Sequence, residues 1–123
     1  MAEHRRVLVV DDDEVIRGFL REALEDDGYE VRAAGDGREA LGVVERWHPD
    51  LILLDLMMPE MDGWTFRAEL RRHPDLAEIP VIVLSAVRDL GARAAALEAA
   101  ALVAKPFDLD RLLETIGRVA RAG

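Results

Sequence analysis

The chain has 123 residues, half of them apolar and a third charged, no cysteine and a formal charge of −9. That suits one ordinary soluble globular domain and argues against nonspecific nucleic-acid binding. Disulfides and thiolate metal sites are excluded, no apolar run nears the ~20 residues of a membrane span, and DDDE cuts short the N-terminal apolar run, so a cytoplasmic protein without a secretory signal is expected.

The first element is a buried-type strand, RVLVV at 6–10. Residues 14–27 have helical spacing through Val15, Phe19, Leu20 and Leu24, with Gly28 as C-cap and Asp13 as N-cap. A shorter strand spans 29–34, and Gly35-Asp36-Gly37 is a turn. A helix at 38–47 stops at His48-Pro49. DLILLD at 50–55 is a continuous apolar strand, followed by a loop over 57–63. A helix at 64–72 ends before His73-Pro74, and PVIVLS at 80–85 is the fourth strand. An Ala-rich helix at 88–100, a short strand at 101–104 and a helix at 109–120 complete the chain.

Strands that alternate with helices imply an α/β fold: a five-stranded parallel sheet, doubly wound, with helices on both faces. Strands 1, 3 and 4 are apolar throughout, as central strands should be, whereas strand 2 carries Glu30 and Arg32 and reads as an edge. Right-handed crossovers then favour the order 2-1-3-4-5, the flavodoxin-like arrangement.

In such a sheet ligands bind outside the carboxyl ends of the strands. Asp11, Asp12 and Asp13 follow strand 1, Asp55 ends strand 3, Ser85 ends strand 4, and Lys105 follows strand 5. Each has an ordinary structural explanation alone: a helix cap, a turn hydroxyl, a surface lysine. Their convergence at four strand ends is harder to explain so. Asp55 ends an apolar strand, where a lone carboxylate must lose hydration. Lys105 is the single lysine beside fifteen arginines. Three clustered carboxylates raise one another's pKa values, and a hard divalent cation resolves that repulsion. Mg²⁺ takes one or two carboxylates plus phosphate oxygens, and a carboxylate can also act as a nucleophile toward phosphorus. Mg²⁺ on one side and Lys105 on the other would neutralise a phosphoryl group, with the Ser85 hydroxyl bonding one of its oxygens.

VLVVDDDE, PDLILLDLMMPEMDG, IPVIVLSA and KPF resemble the four signature segments of response-regulator receiver domains, and the resemblance spans essentially the whole chain. It implies a two-component signalling switch with Asp55 as phosphoacceptor, Asp12 as a direct Mg²⁺ ligand and Asp11 acting mainly through a metal-bound water. Asp55 and the Met57 backbone carbonyl would complete the protein's metal ligands, and Mn²⁺ would substitute for Mg²⁺. Ser85 would be the switch hydroxyl, and Lys105 would pair with the phosphoryl group. The phosphodonor would be a sensor histidine kinase or a histidine phosphotransfer protein. Such a domain is a phosphoacceptor that assists its own phosphotransfer and dephosphorylation, not a conventional enzyme.

Two alternatives have less support. A haloacid-dehalogenase-type phosphatase would carry a second Asp two residues after the nucleophile, where this chain has Met57. A flavodoxin-like cofactor binder needs a phosphate-cradling loop after strand 1, where this chain is acidic.

Two departures from the family pattern bear on output. Leu102 stands where an aromatic residue is usual, and LEAAALVAKPF is shorter than the usual connector and lacks its glycine. Leu102 is therefore expected to stay buried, while the 85–88 loop responds. Residues 1–87 hold 10 basic against 20 acidic residues and residues 88–123 hold 6 against 5, so the near-neutral C-terminal third is the expected face for a downstream protein. The expectation is a single receiver domain over 1–123, without an effector domain, that binds neither nucleic acid nor membrane. The alternative is a receiver fragment of a longer response regulator or hybrid kinase.

Overall fold

The computed structural model describes residues 5–56, 58, 61–86 and 97–122. Ten elements run in the order β1 (Arg6–Val10), α1 (Glu14–Asp26), β2 (Glu30–Ala34), α2 (Gly37–Trp47), β3 (Leu51–Leu54), α3 (Gly63–Arg71), α4 (Pro74–Ala77), β4 (Val81–Ala86), β5 (Ala101–Lys105) and α5 (Leu109–Ala122). The strands form one parallel sheet of order β2-β1-β3-β4-β5, the flavodoxin-like order expected from the sequence.

Apart from Arg6 at the start of β1 and Ser85 near the end of β4, strands β1, β3 and β4 are apolar because both faces of the sheet are covered. Leu8, Val10, Ile52, Leu54, Val81 and Val83 pack toward α2 and α3. Val7, Val9, Leu51, Leu53, Ile82 and Leu84 pack toward α1 and α5. Glu30 and Arg32 on β2 are exposed, as the edge position requires. At the amino end of the sheet Trp47 is buried, with the Arg6 and Arg32 guanidinium groups 5.5 and 4.9 Å from its ring. Both tryptophan and arginine gain from that stacking.

Local signals set the helix ends. The Asp13 carboxylate accepts from the Val15 and Ile16 N–H groups and caps α1. Asp36 caps α2 and Asp62 caps α3 in the same way. The cap at the far end of α1 is Asp27, and Gly28 takes the left-handed conformation just beyond it (φ 94°). The four-residue α4 has no apolar period to announce it; it starts on Pro74, whose missing N–H costs nothing at a first helical position.

Several expectations change. The apolar set expected on α1 is split: Leu20 and Leu24 are buried, whereas Val15 is 80% and Phe19 50% exposed. The inward stripe uses partly buried Ile16 instead, because a helix turns ~100° per residue and Val15 falls outside that arc. The helix expected over 88–100 lies largely outside the described residues, and its last residues are not helical. Glu98 has a left-handed backbone (φ 51°), and the Ala100 N–H already bonds to Val81 O at 2.8 Å, joining the sheet. Leu102, expected to be buried, is 46% exposed. It lies beside Val83 at the β5 edge, where only one neighbouring strand is present to cover it.

Candidate functional site

The parallel register brings the carboxyl ends of β1, β3, β4 and β5 to one edge. Asp11 follows β1, and its N–H donates to Ala34 O at 3.1 Å on β2. Its Oδ1 accepts from the Asp13 N–H at 2.9 Å, and its Oδ2 accepts from Lys105 Nζ at 2.9 Å. Its backbone carbonyl accepts from Arg17 Nη1 at 2.8 Å, reaching down from α1. Asp11 is thus buried with every polar atom engaged, which is the condition under which a buried carboxylate is tolerated.

Asp55 follows β3, and its N–H donates to Val10 O at 2.9 Å. It is buried too, with Lys105 Nζ 3.7 Å from its Oδ2. Ser85, buried on β4, places its Oγ 3.5 Å from Asp55 Oδ1, the outer limit of a hydrogen bond. Asp12 is exposed, and one carboxylate oxygen from each of Asp11, Asp12 and Asp55 lies within 4.8 Å of the others. Met57, expected to lend its backbone carbonyl, lies outside the described residues, as do Val87 and Arg88.

Lys105 sits among these three acids. Burial disfavours its charge, but the hydrogen bond it donates to Asp11 and the charges of Asp11, Asp55 and Asp12 outweigh that, so its pKa is held above the ordinary lysine value. It is an ammonium at every physiological pH. The bond that follows it, Lys105-Pro106, is cis.

One ammonium offsets one of three carboxylate charges, and the remainder fits a small divalent cation with oxygen ligands. Asp11, Asp12 and Asp55 each offer one oxygen to such an ion, and Asp12, the exposed member, does so from the rim of the pocket.

Two glycines let backbones meet here. A Cβ on Gly63 would lie 2.6 Å from Asp55 O and 2.7 Å from Leu56 Cα; the Gly63 N–H bonds to Leu56 O at 2.9 Å. A Cβ on Gly37 would lie 2.6 Å from Met61 O, which accepts from the Gly37 N–H at 3.0 Å. The first turns of α3 and α2 are therefore seated against the segment that follows Asp55. Arg17 was not legible as a site neighbour, nor was the burial of Arg67 on α3. For Arg67 a signal existed: it falls four residues after Gly63 and three before Leu70, on the stripe that should be apolar.

The family model of the response regulator receiver domain matches residues 7–117, and the chain belongs to that family. Receiver domains are signalling domains, not conventional enzymes. The chain is 42% identical over 118 residues to the response regulator MprA of Mycolicibacterium vanbaalenii, covering 94% of this chain and 50% of the relative. It spans about half the length of the curated relatives it matches. Among solved structures, the chemotaxis response regulator CheY4 of Vibrio cholerae superposes with a TM-score of 0.88 at 34% identity, over 95% of this chain and 99% of that one. The response regulator TrrA of Thermotoga maritima, solved in complex with Mg²⁺-BeF, gives 0.83 at 33% identity over 94% and 98%. Among the described residues no helix is long and apolar enough to cross a membrane.

Proposed function

We propose that this domain is a phosphorylation switch that accepts a phosphoryl group on Asp55 from a phosphohistidine of a sensor kinase or phosphotransfer protein. The observation that carries this reading is the position of Lys105 Nζ, 2.9 Å from Asp11 and 3.7 Å from Asp55 at the end of a buried strand. An Asp55 oxygen attacks phosphorus, the phosphorus–nitrogen bond to the donor imidazole breaks, and the imidazole leaves with the bonding pair and takes up a proton. Asp11, Asp12 and Asp55, with the Met57 carbonyl, would hold Mg²⁺ or Mn²⁺. When bound, that ion supplies positive charge against the phosphoryl oxygens. Lys105 has a short reach from the Asp11–Asp55 gap to a phosphoryl oxygen on Asp55. The Ser85 hydroxyl, loosely placed against Asp55 Oδ1, is free to donate to another.

A downstream protein would read the change on residues 88–123; the half-exposed Leu102 on β5 gives that face an apolar contact point. A second setting, in which this domain is the receiver part of a longer regulator, is favoured by the curated relatives being about twice its length.

The test is acetyl phosphate with and without Mg²⁺, read by intact mass. One phosphoryl adduct is expected, dependent on a divalent cation and absent in Asp55→Asn. Lys105→Arg should impair it, since a planar guanidinium does not replace a compact ammonium. An adduct that survives in Asp55→Asn overturns the assignment.

A further inference from the structure

Arg67 occupies a place on α3 where an apolar side chain belongs. With Gly63, Phe66 and Leu70 it makes up the helix's buried stripe, and it is only 6% exposed. A guanidinium placed there loses its hydration and needs hydrogen bonds in exchange. Its Nε donates to Leu97 O at 2.8 Å, and its Nη2 donates to Glu98 O at 3.2 Å. Its Nη1 is buried without a hydrogen-bond partner among the described residues. Burial and the neighbouring Arg71 lower its pKa, and Glu98 opposes them. One turn further along α3, Arg71 forms an ion pair with the Glu98 carboxylate.

The two carbonyls that Arg67 grips belong to a turn that its own residues disfavour. Glu98 is left-handed at φ 51°, a conformation natural to glycine and costly for a residue with a Cβ. Immediately after it, Ala100 bonds to Val81 and β5 begins at Ala101. The position of this turn therefore sets where β5 enters the sheet. The shortened, glycine-free connector noted in the sequence is this segment, and α3 supplies from outside what the missing glycine does not.

The other end of the same buried stripe touches the phosphoacceptor. Gly63 is seated against the Asp55 carbonyl, and Arg67 lies four residues on, on the same face. We propose that α3 is a transmission arm: its first turn rests on the Asp55 backbone and its second, through Arg67, holds the Glu98 turn, so that phosphorylation displaces the start of β5 by moving α3. The inference rests on the reading of Asp55 as phosphoacceptor. It gives the domain a route to β5 that needs no aromatic ring at position 102. A turn held against its own preference is also one that a small shift of its anchor releases.

Two measurements test it. In the first, amide resonances are followed on adding Mg²⁺ and beryllofluoride. The wild-type amides of Gly63 and of Glu98, Ala99 and Ala100 are expected to shift together. In Arg67→Met the Gly63 response should remain, and the response at 98–100 should be lost. Retention of that response in Arg67→Met, or its absence in a wild type whose Gly63 amide responds, overturns the proposal. A wild type silent at Gly63 as well overturns this inference alone when acetyl phosphate still yields the Asp55-dependent adduct; when it does not, the inference falls with the Asp55 reading. The second is a double-mutant cycle on the free protein, with Glu98→Gly as the second variant. Glycine adopts the turn unaided, so Arg67→Met should lower Tm much less in the Glu98→Gly background than in the wild type. Equal losses in the two backgrounds would show that Arg67 does not hold the turn.

Discussion

At the carboxyl end of β1, the backbone N–H, the backbone carbonyl and both carboxylate oxygens of Asp11 each have a partner, contributed by β2, α1, the α1 cap residue Asp13 and β5. Three positions across the sheet, β5 has a single neighbouring strand, carries an exposed Leu102, and is entered through a turn gripped by arginines of another helix. The two regions solve different problems. The centre must hold three carboxylates in fixed mutual positions, which calls for local over-determination. The margin must exist in more than one arrangement if it is to report anything, which calls for restraint that can be undone.

The sharpest way to break that comparison is to cut leucines from both regions. Leu54 is fully buried beside the site, and Leu54→Ala should cost about 2–5 kcal/mol in denaturant unfolding. A cost under about 1 kcal/mol would show that the centre tolerates cavities and is not over-determined.

Mg²⁺ should strengthen the centre selectively, because the carboxylates of Asp11, Asp12 and Asp55 converge there. At a hundredfold excess over Kd the gain is ~2.7 kcal/mol, and it should shrink sharply in Asp12→Asn. Equal stabilisation of the two proteins, measured by thermal melts at low ionic strength, would remove Asp12 from the ligand set.

Gly63→Ala places a methyl group where backbone atoms of Asp55 and Leu56 already lie at 2.6 and 2.7 Å. Neither atom belongs to a flexible side chain, so the helix must move; a loss of about 1–3 kcal/mol is expected, together with slower phosphoryl acceptance. Wild-type behaviour on both measures would mean that α3 is not seated as tightly as its geometry indicates.

A pH titration sharpens the contrast further. The folded-state pKa of Lys105 is raised, so its contribution to stability is complete below the unfolded value of about 10.4 and is lost as pH rises through the folded value. Unfolding measured from neutral to strongly alkaline pH should show that loss in the metal-free wild type and less of it in Lys105→Met. Identical alkaline profiles would show that the ion pair adds nothing.

The smallest effect belongs to the margin: Leu102→Ala should change stability by about 0.5 kcal/mol or less, because the side chain is half exposed. A loss as large as that of Leu54→Ala would erase the distinction between the regions.

The five strands and their order, the helices α1, α2, α3 and α5, and the convergence of Asp11, Asp12, Asp55, Ser85 and Lys105 were legible in the sequence, whereas the short α4 was not. Strand period, turn residues and the rule that ligands gather at carboxyl ends are local or topological facts. What escaped depends on contacts between distant segments. The burial of Arg67 could be suspected from its place on the α3 stripe, but its acceptors lie 30 and 31 residues away on Leu97 and Glu98. The exposure of Val15 and Phe19 has the same origin: an apolar residue on a helix declares itself buried only once its arc relative to the sheet is known.

The two tryptophans stand at opposite ends of this machinery. Trp64 is the second residue of α3, directly after the glycine seated on Asp55, whereas Trp47 is buried beside two guanidinium groups at the far end of the sheet. The domain therefore carries its own spectroscopic reporter and its own internal reference. Emission from Trp64 should respond to occupancy of the acidic pocket while Trp47 contributes a constant background, so that ligand binding can be followed in the unlabelled protein and assigned with a single Trp64→Phe control.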